Sequence, residues 1–144
     1  RLTYEGRLLR RKRLRTAGGV SLLVDLEQVT SLGAGDALVA ADGTRFGVEA
    51  AEEELVAVSG ASLMRYAWHI GNRHTPCQIE ADRLLIAREH VLEAMLAQLG
   101  ATCGYVVEPF TPEGGAYGHG RTFGHSHGHV HDHDHGHGHS HAHD

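Results

Sequence analysis

Of the 14 histidines in this sequence, ten occupy every second position from His125 to His143. Imidazole binds nickel, copper, zinc and iron as the neutral ring. At an ordinary pKa of about 6.5, most of these rings are unprotonated near neutral pH. His125, His127, His129, His131, His133, His135, His137, His139, His141 and His143 alternate with Gly, Ser, Asp, Val or Ala, and His119 precedes them. Two to four donors enclose a first-row ion, so such a tail would hold roughly two or three ions and exchange them quickly. A purification tag is normally a contiguous run of histidines. Interruption by Ser126, Val130, Asp132, Asp134 and Ser140 speaks instead for native metal binding. Donor type leaves the metal open, because affinity order alone favours Cu2+ over Ni2+ and Zn2+.

Three further histidines lie in the body of the chain. His69 and His74 flank Gly71-Asn72, the expected stop of a helix, which puts His74 in the loop beyond it. There a ring can face a partner without disturbing a core. His69 either supports a metal from behind or caps the helix end, where the dipole favours it. His90 is either a ligand or a helix-surface residue. Arg73 suits a structural or interface hydrogen bond. Cys77 is either a soft ligand or a small buried side chain, and Cys103 reads as core.

The elements that must position these residues fall into two patterns. Up to about Ser59 the chain reads as short strands separated by turns. Leu22–Leu26, Ala37–Ala40 and Thr44–Val48 are strand candidates, and Asp42-Gly43 is a hairpin signal. Glu54–Ser59 then opens a second unit. Helical spacing covers Ala61–Ile70 and Ala87–Leu99, while Cys77–Glu80, Arg83–Ile86 and Thr102–Val107 read as strands. The order β-α-β-β-α-β over about residues 54–110 is ferredoxin-like. The expected fold class is α+β: an all-β domain (1–59), a ferredoxin-like domain (60–112) and a Gly/His-rich tail (113–144) expected to be disordered without metal.

The formal charge of −5 argues against a nucleic-acid binder. The cluster Arg7, Arg10, Arg11, Lys12, Arg13 and Arg15 has no interleaved aromatics, so it reads as a solvated strand or a surface for an acidic partner. No apolar run reaches the ~18–20 residues of a membrane span, and the two cysteines form no disulfide framework. The first residues do not read as a signal peptide, so a cytoplasmic location is expected. Lys12 is the only lysine and no phosphate-binding Gly-x-x-x-x-Gly-Lys loop occurs, which excludes nucleotide hydrolysis by that route. His-Glu-x-x-His and Gly-x-Ser-x-Gly are also absent, so the chain does not read as an enzyme.

The segment His69-Ile70-Gly71-Asn72-Arg73-His74-Thr75-Pro76-Cys77-Gln78-Ile79, followed by His90-Val91-Leu92-Glu93-Ala94-Met95-Leu96, closely resembles the urease accessory protein UreE family. So does Pro109-Phe110-Thr111-Pro112-Glu113-Gly114-Gly115-Ala116-Tyr117, which leads into a histidine-rich terminus. The resemblance implies an N-terminal domain like a peptide-binding chaperone module, a ferredoxin-like metal domain, and a homodimer formed through the latter. It also implies that His74 is the nickel ligand supplied by both subunits, and that Ni2+ passes to the urease apoprotein complex through a urease accessory GTPase. Two imidazoles bind weakly, so tail histidines are expected to complete the shell, within a reach on the order of 80 Å at ~3.3 Å per residue. Other members carry a histidine pair spaced by one residue at the start of the second helix. Arg88 stands where the first would be, which leaves His90 alone there. A general nickel, zinc or copper storage protein would need only the tail, and stands as the alternative.

Overall fold

The structure is a computed structural model and describes residues 1–115. A 3-10 turn at Glu5–Arg7 leads into β1 (Leu8–Arg15), which pairs antiparallel with β2 (Ser21–Ser31). Arg11 faces Asp25 and Arg15 faces Ser21 across the ribbon, with an irregularity between Leu9 and Arg11. Strand alternation turns Leu14, Leu22 and Val24 inward, onto a small core with Leu9, Leu32 and Val48. β3 (Ala37–Val39) and β4 (Arg45–Gly47) form a hairpin over the same core. Its turn is at Asp42-Gly43, as expected. Gly43 takes φ 87°, and the Asp42 carboxylate accepts the Thr44 amide at 2.9 Å.

Two expectations for this region change. β2 is longer than the predicted Leu22–Leu26 run, because its later residues cross to β1 through Thr30 and Ser31. Arg7 is not part of a solvated strip, for it is only 3% exposed. Its guanidinium donates to the Leu2 carbonyl at 2.9 Å and the Phe110 carbonyl at 2.6 Å. The remaining basic residues, Arg10, Arg11, Lys12, Arg13 and Arg15, are exposed.

The second unit starts with β5 (Glu52–Ser59). It continues through α1 (Leu63–Asn72), β6 (Gln78–Ile79), β7 (Leu84–Ala87), α2 (His90–Gln98) and β8 (Thr102–Pro109). The sheet order is β6-β7-β5-β8, and every pairing is antiparallel. Val56, Val58, Leu84 and Ile86 meet Tyr66, Ile70, Leu92 and Leu96 of the helices in the main core. A fully buried aliphatic side chain contributes roughly 1.5–3 kcal/mol, so this cluster dominates the unit's stability. In a separate cluster, Leu55 and Leu85 pack with Phe110 and Tyr4, which ties the first residues of the chain to the second sheet. Gly60 joins β5 to α1 at φ 140°, and a Cβ there would meet the Tyr66 hydroxyl at 3.1 Å.

Both helix boundaries differ from the periodicity. α1 starts at Leu63 rather than Ala61 and takes in Gly71 and Asn72, ending at Asn72 rather than Ile70. α2 starts at His90 rather than Ala87, which completes β7 opposite Leu55. The reason is a reciprocal cap. The Glu89 carboxylate accepts the amides of Val91 and Leu92, and Glu93 accepts the Glu89 amide at 2.9 Å.

Candidate metal centre

Antiparallel pairing of β5 with β7 and β8 brings the start of β5, the end of β7 and the end of β8 to one end of the sheet. The start of α2, which follows the end of β7, lies at that end too, and α1 runs back toward it from the far end of β5. The Glu89 carboxyl is held below the usual carboxylate range, first by the Leu92 amide and then by the Val91 amide.

His74 follows the end of α1. Arg73 closes α1, and His74 follows at φ 55°, the only non-glycine with positive φ among the described residues. The His74 amide donates to Gly71 O at 2.9 Å, and the Thr75 amide donates to Ile70 O at 3.3 Å. These two bonds make a Schellman motif, in which glycine normally takes the left-handed position. An L-residue there costs about 1–2 kcal/mol. The packing of Ile70 and the two hydrogen bonds hold the turn regardless, so His74 is fixed at its backbone and exposed at its side chain.

His69 lies one turn earlier and half-buried. Its ring meets Trp68 edge-on at 5.0 Å, and no described hydrogen bond joins it to a helix-end carbonyl. It stands in the last turn of α1, where the helix dipole favours it. Trp68 is 64% exposed and Met64, one turn before it, is 84% exposed. Together they form an apolar stripe on the outer side of α1 that runs toward His74.

His90 is exposed at the first position of α2. Arg88 does other work: its guanidinium lies 4.0 Å from the Tyr105 ring centroid and pairs with Glu54 at 3.3 Å. The Tyr105 hydroxyl donates to Glu93 at 2.8 Å, which links this cluster to the α2 cap. This stacking was missed in the sequence, since its partners lie in separate elements. Cys77 precedes β6, half-buried, and its thiol is pushed up to about 11 by burial and the nearby Glu113 charge. A thiol so protonated is a poor resting ligand. Cys103 packs against the helix-side core, as expected, with its pKa also raised by burial.

Among the described residues, no three His, Cys, Asp or Glu side chains converge as a metal cage. His119 and the alternating histidines from His125 to His143 lie outside the described residues. The chain's candidate metal chemistry in this region therefore resides in separated histidines presented at one end of the second sheet.

The architecture is that of a small α+β binding protein with an imidazole displayed at a strained helix terminus. The chain belongs to the UreE urease accessory protein family. The family's N-terminal domain matches residues 1–51 and its C-terminal domain matches residues 53–143. The urease accessory protein UreE of Ruegeria pomeroyi is 61% identical over 125 residues, covering 87% of this chain and 84% of that protein. The protein of the same name from Cereibacter sphaeroides is 64% identical over 125 residues, covering 87% and 68%. That of Paracoccus denitrificans is 63% identical over 121 residues, covering 84% and 77%. Among the described residues, no helix is long and apolar enough to cross a membrane.

Proposed function

We propose that this chain is a nickel metallochaperone that delivers Ni2+ for assembly of the urease active site, and that it is not itself an enzyme. The observation that carries the reading is His74, an exposed imidazole held at φ 55° where glycine would be cheaper. Strain retained at an exposed position points to a job for the side chain. Nickel is the cargo; Zn2+ and Cu2+ are competitors by affinity order. His74 and its symmetry mate form the specific site in a homodimer. One residue near a two-fold axis meets its own copy, and the exposed Met64–Trp68 stripe beside it supplies apolar surface for that contact.

Tail histidines His119 and His125–His143 collect ions and complete the shell around the His74 pair. His69 and His90 flank that end of the sheet as auxiliary donors. A peripheral site built on a histidine pair at α2 is disfavoured, because Arg88 is committed to Tyr105 and Glu54. The strand order and antiparallel pairings support a ferredoxin-like metal and dimerisation domain that begins with β5 at Glu52 rather than at residue 60, after a peptide-binding-like N-terminal domain and before the tail from residue 113. Transfer proceeds by ligand exchange, through an accessory GTPase, onto the urease apoprotein complex in the cytoplasm. A storage role would need the tail alone and gives no reason for a strained His74.

Activation of urease apoprotein at limiting nickel, with the intact chain or His74→Ala, tests this. Activation should fall sharply with the variant; equal activation would contradict the reading. A chain lacking 116–144 but keeping His74 should still support activation when nickel is ample, which a pure buffer would not.

A further inference from the structure

Among the described residues, β1 pairs with a strand on one side alone, β2. The Thr16 amide donates to the Val20 carbonyl at 2.8 Å and the Gly19 amide to the Thr16 carbonyl at 2.9 Å. These bonds close the hairpin between β1 and β2, with Gly19 at φ 88°. Hydrogen-bonded and non-hydrogen-bonded pairs alternate along an antiparallel ribbon. Counting back from Thr16 and Val20, Leu14 and Lys12 exchange their backbone bonds with Leu22 and Val24. The backbone amides and carbonyls of Arg11, Arg13 and Arg15 therefore point away from β2, along an open edge. Their side chains share one face, opposite to that on which Leu14, Leu22 and Val24 meet the small core.

That edge is strongly cationic. Arg10, Arg11, Lys12, Arg13 and Arg15 are all exposed, in a chain whose formal charge is −5. Among the described residues, Arg11, Lys12, Arg13 and Arg15 form no ion pair, although Arg11 faces Asp25 across the ribbon. Beside the end of β1 lies a partly open cavity of about 390 Å³, lined by Leu14, Leu22, Leu38 and Phe46, with Arg15 and Arg45 among its walls. Charged side chains ordinarily guard an edge strand against pairing. These repel a second copy of β1, whereas an anionic strand is attracted. The net negative charge of the chain and the lack of aromatics interleaved with the cations speak against nucleic acid.

We propose that the open edge of β1 is a docking surface for an acidic, extended segment of a partner protein, which adds a strand to the ribbon. Carboxylates at alternate positions of that segment lie against Arg11, Arg13 and Arg15, about 5 Å away as cross-strand neighbours are. The intervening apolar side chains turn to the Leu14 face, where the cavity takes one of them. Metal has no part in this contact, so it stands or falls apart from the nickel reading.

The test uses the full chain without metal and, as probe, a fluorescent peptide that alternates glutamate with valine. Hydrogen exchange should show the Arg11, Arg13 and Arg15 amides protected when the peptide binds. Fluorescence anisotropy should show the peptide weakened about ten-fold by Arg13→Glu and at most about two-fold by Arg13→Lys. Lys12→Glu changes the net charge equally on the other face and should cost about three-fold or less. A peptide with glutamine in place of glutamate should bind about ten-fold more weakly. Arg13 is exposed, so its variants should keep the native circular dichroism spectrum. No binding, protection that misses β1, or equal losses in Arg13→Glu and Lys12→Glu would overturn the docking surface. Tighter binding of duplex DNA than of the peptide would also overturn it, and would make the strip a nucleic-acid site.

Discussion

Replacing His74 by glycine should stabilise the metal-free protein while abolishing the proposed nickel site. The structure supplies the magnitude. At φ 55°, His74 carries the left-handed penalty of an L-residue, about 1–2 kcal/mol. Glycine removes that penalty and returns about 0.5–1 kcal/mol through the greater freedom of the unfolded chain. The side chain is exposed, so little burial is lost. The net expectation is a gain of about 0.5–1 kcal/mol, or a rise of about 2–6 °C in Tm. Urea unfolding in the presence of a chelator measures this directly. His74→Ala is the control: it loses the imidazole but keeps the strain, and should stay near the native stability. If the glycine variant is no more stable than the alanine variant, the assignment of backbone strain to His74 is wrong.

Other perturbations probe neighbouring parts of the account. Trp68→Glu or Met64→Glu should convert the proposed homodimer to monomer by analytical ultracentrifugation with helicity unchanged, since both side chains are exposed; a persistent dimer would place the interface elsewhere. Glu89 has its carboxyl pKa lowered, so its cap stabilises α2 fully above the unfolded value of about 4.3 and is lost as pH falls through the folded value. Circular dichroism during acid titration should show that loss of helix in the native chain, and Glu89→Gln should remove the cap's part of the acid dependence. Arg88→His, which places a second imidazole two residues before His90, should add one nickel site per chain by titration; an unchanged count would show that the Tyr105 cluster leaves no room for it.

Much of this fold could be read from residue patterns, because its helices are amphipathic and its turns carry ordinary signals. Apolar spacing located α1 and α2, and Asp42-Gly43 located the first domain's hairpin. Boundaries failed where the usual signal was present but unused. Gly71-Asn72 has the composition of a helix stop, yet the left-handed residue is His74. The α2 start was set by a Glu89–Glu93 exchange of caps rather than by apolar spacing. Arg7 looked like one cation among several, and only the meeting of its side chain with Phe110, far along the chain, makes it a buried bolt.

The site divides in the same way. A loop position for His74 followed from the helix stop, even though that stop was placed slightly early. The Trp68 contact of His69 and the Arg88–Tyr105 stack depend on side-chain directions and on elements that meet only in three dimensions. Periodicity carries no information about either.

The most direct test of the central claim is nickel titration by calorimetry of the intact chain against His74→Ala, at a pH where the imidazoles are neutral. A homodimer sharing one ion between two copies of His74 predicts a tight site that fills at about half an ion per chain. The variant should lose that site and keep the weaker tail sites. A tight site surviving in His74→Ala, at the same stoichiometry, would contradict the account.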